Sequence, residues 1–390
     1  MTNSIFRSFL ATLLFLFLLA NGFVAAASKQ HSQYFAYVGT YTEDGSESKG
    51  IYAYRFNSDT QQLTPIGLAA ETINPSFLAV HPNQRFLYAV NEVSNYQGQK
   101  SGAVSAFAID RATGKLTLLN QVSSRGGDPC YITVDRTGKY VLVANYGTGS
   151  IAAFPIHEDG GLGEAASSMQ HTGHGTNPQR QEGPHAHSID MSPDNRFAIV
   201  DDLGLDETFV YPFASSSGSL AASEAIAKAA PGAGPRHFAF HPNGKFGYVI
   251  NEMGSTVSAY SFEAASGMLK PLQTISSIPK TFTKLNESAE IRVSPSGKFL
   301  YASNRGDDSI AVFAIDPTSG MLTLIEYVPT KGASPRSFEI APGGSVLFAA
   351  NEKSDNIVLF HIDQHSGRLT PTGKVLNISQ PVCVKFASVE

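Results

Sequence analysis

One short phrase returns around this chain at intervals of about fifty residues, and it constrains the fold more than any other feature. Gly234-Pro235-Arg236-His237 leads to His241-Pro242-Asn243-Gly244 and then from Tyr248 to Asn251-Glu252. The same phrase runs from Asn74-Pro75 through His81-Pro82-Asn83 to Asn91-Glu92, and from Ser334-Pro335-Arg336 through Pro342-Gly343-Gly344 to Asn351-Glu352. Asp128-Pro129-Cys130 opens a further copy ending at Asn145-Tyr146, and degenerate copies begin near Ala186 and Ser288. After each phrase come an alternating strand, a turn as in Thr318-Ser319-Gly320, and a fourth strand such as Met321 to Leu324. Four strands joined by tight turns make one antiparallel blade.

Blades with their own inner strand begin near residues 74, 128, 184, 234, 287 and 334. Tyr34 to Thr40 has no inner strand before it, and Pro381 to Phe386 has no outer strands after it. Joined, the two ends complete a seventh blade. Closure follows because an open ring would leave two blade faces and a strand edge in water. The expectation is an all-β, seven-bladed propeller of four-stranded antiparallel blades, closed by N- and C-terminal strands in one blade.

Residues 1–27 read as a signal peptide: Arg7, an apolar run from Phe9 to Leu19 broken only by Thr12, and the small-residue exit Ala25-Ala26-Ala27. Residues 28–390 are then one propeller domain, exported to the periplasm or secreted, with no membrane span after cleavage. Losing Arg7 takes the formal charge from −5 to −6, which argues against nucleic acid as a partner. Cys130 and Cys383 fall on inner strands of different blades, so two free thiols are expected, and a monomer. No zinc-type cysteine spacing occurs.

The repeat phase also locates a site. Inner-strand positions such as Phe238 and Phe240, or Leu78 and Val80, alternate as packing residues between blades. One step earlier, at the strand start, stand Ser76, Cys130, His187, Arg236, Ala289, Arg336 and Val382. The opposite face opens with His237 in one blade and Glu290 in the next. His187, Arg236, His237, Glu290 and Arg336 are therefore expected at one height. The antiparallel second strand returns to the same rim, carrying Asn91-Glu92, Asn145-Tyr146, Asp201-Asp202, Asn251-Glu252, Asn304-Arg305 and Asn351-Glu352. The recurrent Asn fits a turn-capping role. The residue after it varies, which a purely structural role does not explain. Charges on the enclosed inner strands cost desolvation and are expected to be functional or tightly paired. Gly183 to His187 holds two extra residues, which predicts a bulge that turns His185 toward the channel mouth. His171 and His174 sit in a Gly-rich insertion, 170–183, without metal-ligand spacing, and no metal or cofactor is expected.

The motifs Gly183-Pro184-His185-Ala186-His187, Asp202-Leu203-Gly204-Leu205-Asp206, Gly234-Pro235-Arg236-His237, Asn251-Glu252, Glu290-Ile291-Arg292 and Ser303-Asn304-Arg305 resemble those of the propeller-type 6-phosphogluconolactonases and the related muconate lactonizing enzyme. The resemblance spans about Tyr34 to Phe386. It implies hydrolysis or closure of a sugar or muconate lactone, with a small-molecule lactone as substrate. The family's catalytic His, Arg and Glu map onto His185, Arg236 and Glu252, and its further Arg onto Arg305 or Arg292. His185, with His187 as fallback, is expected to activate water, and Arg236 to hold the acyl oxygen. His187, Asp202, His237, Glu290, Arg292, Asn304 and Arg336 are the expected substrate-binding residues. The export signal departs from a family that acts on a cytoplasmic phosphosugar. The rival reading is a non-catalytic propeller that binds an anionic ligand or a protein at the same mouth. No Gly-x-Ser-x-Gly elbow is present, and the absence of Trp removes a docking platform for a quinone.

Overall fold

The computed structural model describes residues 32–389 apart from 44 and 224, so the expected signal peptide lies outside the described residues. Seven sheets follow one another around a ring. Blade 1 has the order Pro381–Ser388, Gln33–Thr40, Gly50–Asn57, Leu63–Glu71, and both chain ends build it. The closing pair is in register from Tyr34 opposite Ser388 to Gly39 opposite Cys383. Blades 2 to 7 have their inner strands at Leu78–Val80, Pro129–Val134, Ala186–Met191, Pro235–Phe240, Glu287–Val293 and Pro335–Ile340. Blade 4 departs from four strands. Its outer strand is split into Ser219–Leu220 and Ala225–Lys228, both paired to Glu207–Ala214.

Buried residues of neighbouring second and third strands, such as Tyr88, Val104 and Phe154, fill the space between blades. A tyrosine on each of four second strands reaches into the next blade. Tyr37, Tyr88, Tyr248 and Tyr301 donate to the carbonyls of Gly114, Gly160, Gly320 and Gly367 at 2.9–3.1 Å. Gly320 has φ +72°, and a Cβ there would stand 2.4 Å from a Phe246 ring carbon, so the turn needs glycine.

The bulge expected in blade 4 is present between Ala186 and Ser188, but it is not peculiar to that blade. The same irregularity occurs at Pro129/Tyr131, Pro235/His237 and Pro335/Ser337. It explains the broken alternation at Cys130, His187, Arg236 and Arg336: each is the extra residue of a bulge, turned out of the packing phase.

Cys130 and Cys383 are free and buried, in blades 3 and 1. Burial pushes the Cys383 thiol up to about 11, and raises Cys130 still further. In the folded protein, neither is expected to react with a thiol reagent on the timescale at which both react in denaturant. Rapid labelling of the native state, or the mass of a bridged pair, would contradict this blade register.

Candidate functional site

Glu252 follows the second strand of blade 5 and is the hub of the rim, with its side chain 3% exposed. Its Oε2 accepts from Arg236 Nε at 2.9 Å and lies 2.7 Å from Arg305 Nη2, and its Oε1 accepts from Arg180 Nη2 at 2.5 Å. The Arg305 contact is between charges rather than along an N–H axis, because that buried Nη2 makes no aligned hydrogen bond. Burial alone would raise the Glu252 carboxyl. The charges of Arg305, Arg236 and Arg180 outweigh it and hold the group well below the ordinary carboxylate range.

Arg236 is enclosed on every side the hydrogen bonds define. Its Nη1 donates to the Ala289 carbonyl at 2.6 Å and to His237 Nε2 at 3.1 Å. Burial, then the charges of Arg305 and Arg336, bring its guanidinium down to about 10. His237 is held well below its ordinary value by burial and by Arg236, so it is neutral. Its Nδ1 donates to Glu290 Oε1 at 3.0 Å, and Glu290 also accepts from Arg292 Nη1 at 2.8 Å and Ser337 Oγ at 3.2 Å. The groups expected at one height are in contact: the His187 and His237 rings meet at 5.2 Å, and Arg236, His237 and Arg336 line one small space. Arg180, Arg236 and Arg305 meet on Glu252, while His237 and Arg292 meet on Glu290, and Arg236 joins the two clusters through His237. Glu290 is fully buried and its oxygens are occupied, so it braces the site and does not meet a ligand. The two candidates for the further Arg are placed apart: Arg305 is on Glu252, whereas Arg292 is on Glu290 and Glu339.

His187 is neutral, depressed by burial and by Arg236, with Nε2 4.0 Å from Glu252 Oε2. His185 lies further out, its ring stacked on Tyr146 at 4.4 Å. Its Nδ1 is 3.0 Å from the Tyr146 carbonyl, which only accepts, so Nδ1 donates there. Glu182 Oε1 lies 3.3 Å from His185 Nε2 on a mostly exposed side chain. Arg336 packs over the Tyr41 ring at 5.3 Å, and Tyr41 in turn donates to Glu92. A cavity of about 360 Å³ opens beside Arg305, Arg336, Glu287 and Glu352.

Two expected ligand residues are not brought to this site. Asp202 is fully buried and accepts the backbone N–H groups of His185, Gly204 and Leu205 while pairing with His171 Nδ1 at 2.5 Å. It anchors the segment that carries His185. Asn304 is also fully buried, donating to the Ser277 carbonyl and accepting from Ser288, as the turn-bracing role of the repeated Asn anticipates. One residue at the rim was given no role, and one was missed. Tyr146 stands at the variable position after the repeated Asn, the same signal that marks Arg305. Arg180 comes from the insertion, where no repeat phase exists to place it. It joins Glu252, Glu287 and the Tyr146 hydroxyl.

Glu252→Gln is expected to lower stability by about 3–5 kcal/mol, because it leaves buried Arg236 without its counter-charge. The pH dependence carries a sign. A carboxyl depressed on folding contributes its full stabilisation above the unfolded value, about 4.3, and loses it as pH falls toward the folded value. Wild type should therefore lose more stability than the variant on acidification below about pH 4.3. Denaturant titrations at neutral and acid pH check both points.

The family described as a lactonase, 7-bladed beta-propeller, matches residues 35–386. A Bacillus subtilis protein named 6-phosphogluconolactonase is 39% identical over 91% of this chain and 99% of its own length. The solved periplasmic gluconolactonase of Pseudomonas aeruginosa is 34% identical with a TM-score of 0.85, covering 92% of this chain and 100% of that one. A solved chain from Bacteroides fragilis is 40% identical with a TM-score of 0.83, over 92% and 99% of the two chains. With a matching family over nearly all of the ring and the charged rim set out above, the chain belongs to the lactonase family of seven-bladed β-propellers.

Proposed function

We propose that this protein hydrolyses the lactone of an unphosphorylated sugar acid outside the cytoplasm. The observation that carries the reading is one ionised carboxylate, Glu252, shared by Arg180, Arg236 and Arg305, with His185 stacked on Tyr146, the ring that His187 also meets. In the reaction, His185 Nε2 removes a proton from water as the water oxygen bonds to the acyl carbon. The acyl oxygen gains charge and is held by arginine. The ring C–O bond then breaks, and the proton on His185 passes to the departing alkoxide, giving the open hydroxy acid. Glu182 stands where it meets the transient imidazolium.

Arg305 is the better donor to the acyl oxygen than Arg236. Its side chain lines the open cavity, whereas Arg236 is bonded to Glu252, Ala289 and His237. Arg236 and Glu252 position it. Export is supported by the leader pattern in residues 1–27 and by likeness to a periplasmic gluconolactonase. Among the described residues, no helix is long and apolar enough to cross a membrane.

Fractionated cells should yield a protein beginning near Ser28 that opens glucono-1,5-lactone well above the buffer rate and its 6-phosphate more slowly. Intact Met1 on cytoplasmic protein would contradict export. A faster reaction with the phosphorylated lactone would contradict the substrate.

A further inference from the structure

The loops that join second to third strands at the rim are short in five blades and long in two. They span 146–149, 203–206, 252–255, 306–308 and 352–355 in blades 3 to 7, but 41–49 in blade 1 and 92–102 in blade 2. In a repeat fold, insertions confined to one face mark the binding face. These two loops are neighbours, and together they wall a groove of about 960 Å³, at the upper end of small-ligand sites. The groove adjoins the site. Glu92 lines both the groove and the small space beside Arg236, and Glu352 lines both the groove and the Arg305 cavity.

Its lining has a specific chemistry. Glu43, Glu71, Asp128 and Gln121 supply acceptors for hydroxyl groups. Ile73 and Leu118, 56% and 55% exposed, supply apolar surface. A sugar ring presents both complements, hydroxyl donors on its edge and C–H groups on its faces. A phosphate or carboxylate would be repelled by the same acids.

Resting on the lactonase reading above, we propose that the groove is a second subsite, which takes the uncharged sugar unit of a disaccharide lactone while its lactone ring lies at Arg305 and His185. The substrate class is then a glycosylated aldonolactone rather than a single sugar lactone.

The test compares kcat/KM for lactobionolactone and glucono-1,5-lactone, with background subtracted, and the binding of lactobionate and gluconate by calorimetry. Wild type should favour the disaccharide lactone by about tenfold, chiefly through KM, as expected for one added set of apolar and hydroxyl contacts. In Leu118→Ala and Glu71→Gln, both at the protein surface, that ratio should fall toward one. Equal kcat/KM for the two lactones, with no tighter binding of lactobionate, overturns the subsite even while glucono-1,5-lactone is turned over. If no lactone is opened but lactobionate binds tighter than gluconate, and Leu118→Ala abolishes the difference, the subsite stands and the lactonase reading falls.

Discussion

Ending the chain at Gln380 is expected to abolish the folded monomer. The lost segment is the inner strand of blade 1, and it supplies Val382, Cys383, Val384 and Ala387, all 2% exposed or less. Each buried valine contributes about 1.5–3 kcal/mol, against a net stability of about 5–15 kcal/mol for a whole domain. The strand also carries the ladder from Tyr34 to Gly39, so its removal leaves Gln33–Thr40 as an unpaired edge inside the ring. Blades 2 and 7 lose the partner face between them. The truncated protein should be insoluble or aggregated by size-exclusion chromatography, with no cooperative melt. A soluble monomer with the wild-type melting temperature would show that the ring does not depend on this closure.

That closure was legible from the sequence because it follows from phase alone. A chain that starts without an inner strand and ends without outer ones has a single way to pair them. The convergence of Arg236, Glu252 and Arg305 was legible for the same reason: inner strands start, and second strands end, at one rim. What phase does not carry is the partner each side chain reaches. The bulges at Arg236 and His187 turn those residues off the alternation, and so Arg236 reaches Glu252 while His237 reaches Glu290. Asp202 resembled a ligand carboxylate because its partners are backbone N–H groups of its own loop, which no side-chain pattern reveals. Arg180 lay beyond reach because it belongs to an insertion, and only the folded chain brings it across to blades 5 and 6. The split outer strand of blade 4 has the same origin, since the outermost strand carries the weakest repeat signal and its interruption at 221–224 leaves the inner three strands in place.

The charge balance of the rim explains why the two histidines differ in role. His187 is enclosed beside Arg236 and is kept neutral, so it serves as a packed, polar wall next to Glu252. His185 is held by its backbone to Asp202 and by Nδ1 to the Tyr146 carbonyl, and its Nε2 faces the mostly exposed Glu182. Removing the His185 side chain takes away the proposed base while leaving the arginine–glutamate cluster, the ring closure and the Asp202 anchor intact.

The turnover of glucono-1,5-lactone by wild type and His185→Ala, corrected for spontaneous opening, therefore tests the account most directly. Loss of a general base typically lowers the rate by about 10²–10⁴-fold. The account predicts a fall of at least about 10²-fold with little change in melting temperature, whereas near-wild-type turnover by a fully folded His185→Ala protein would contradict it.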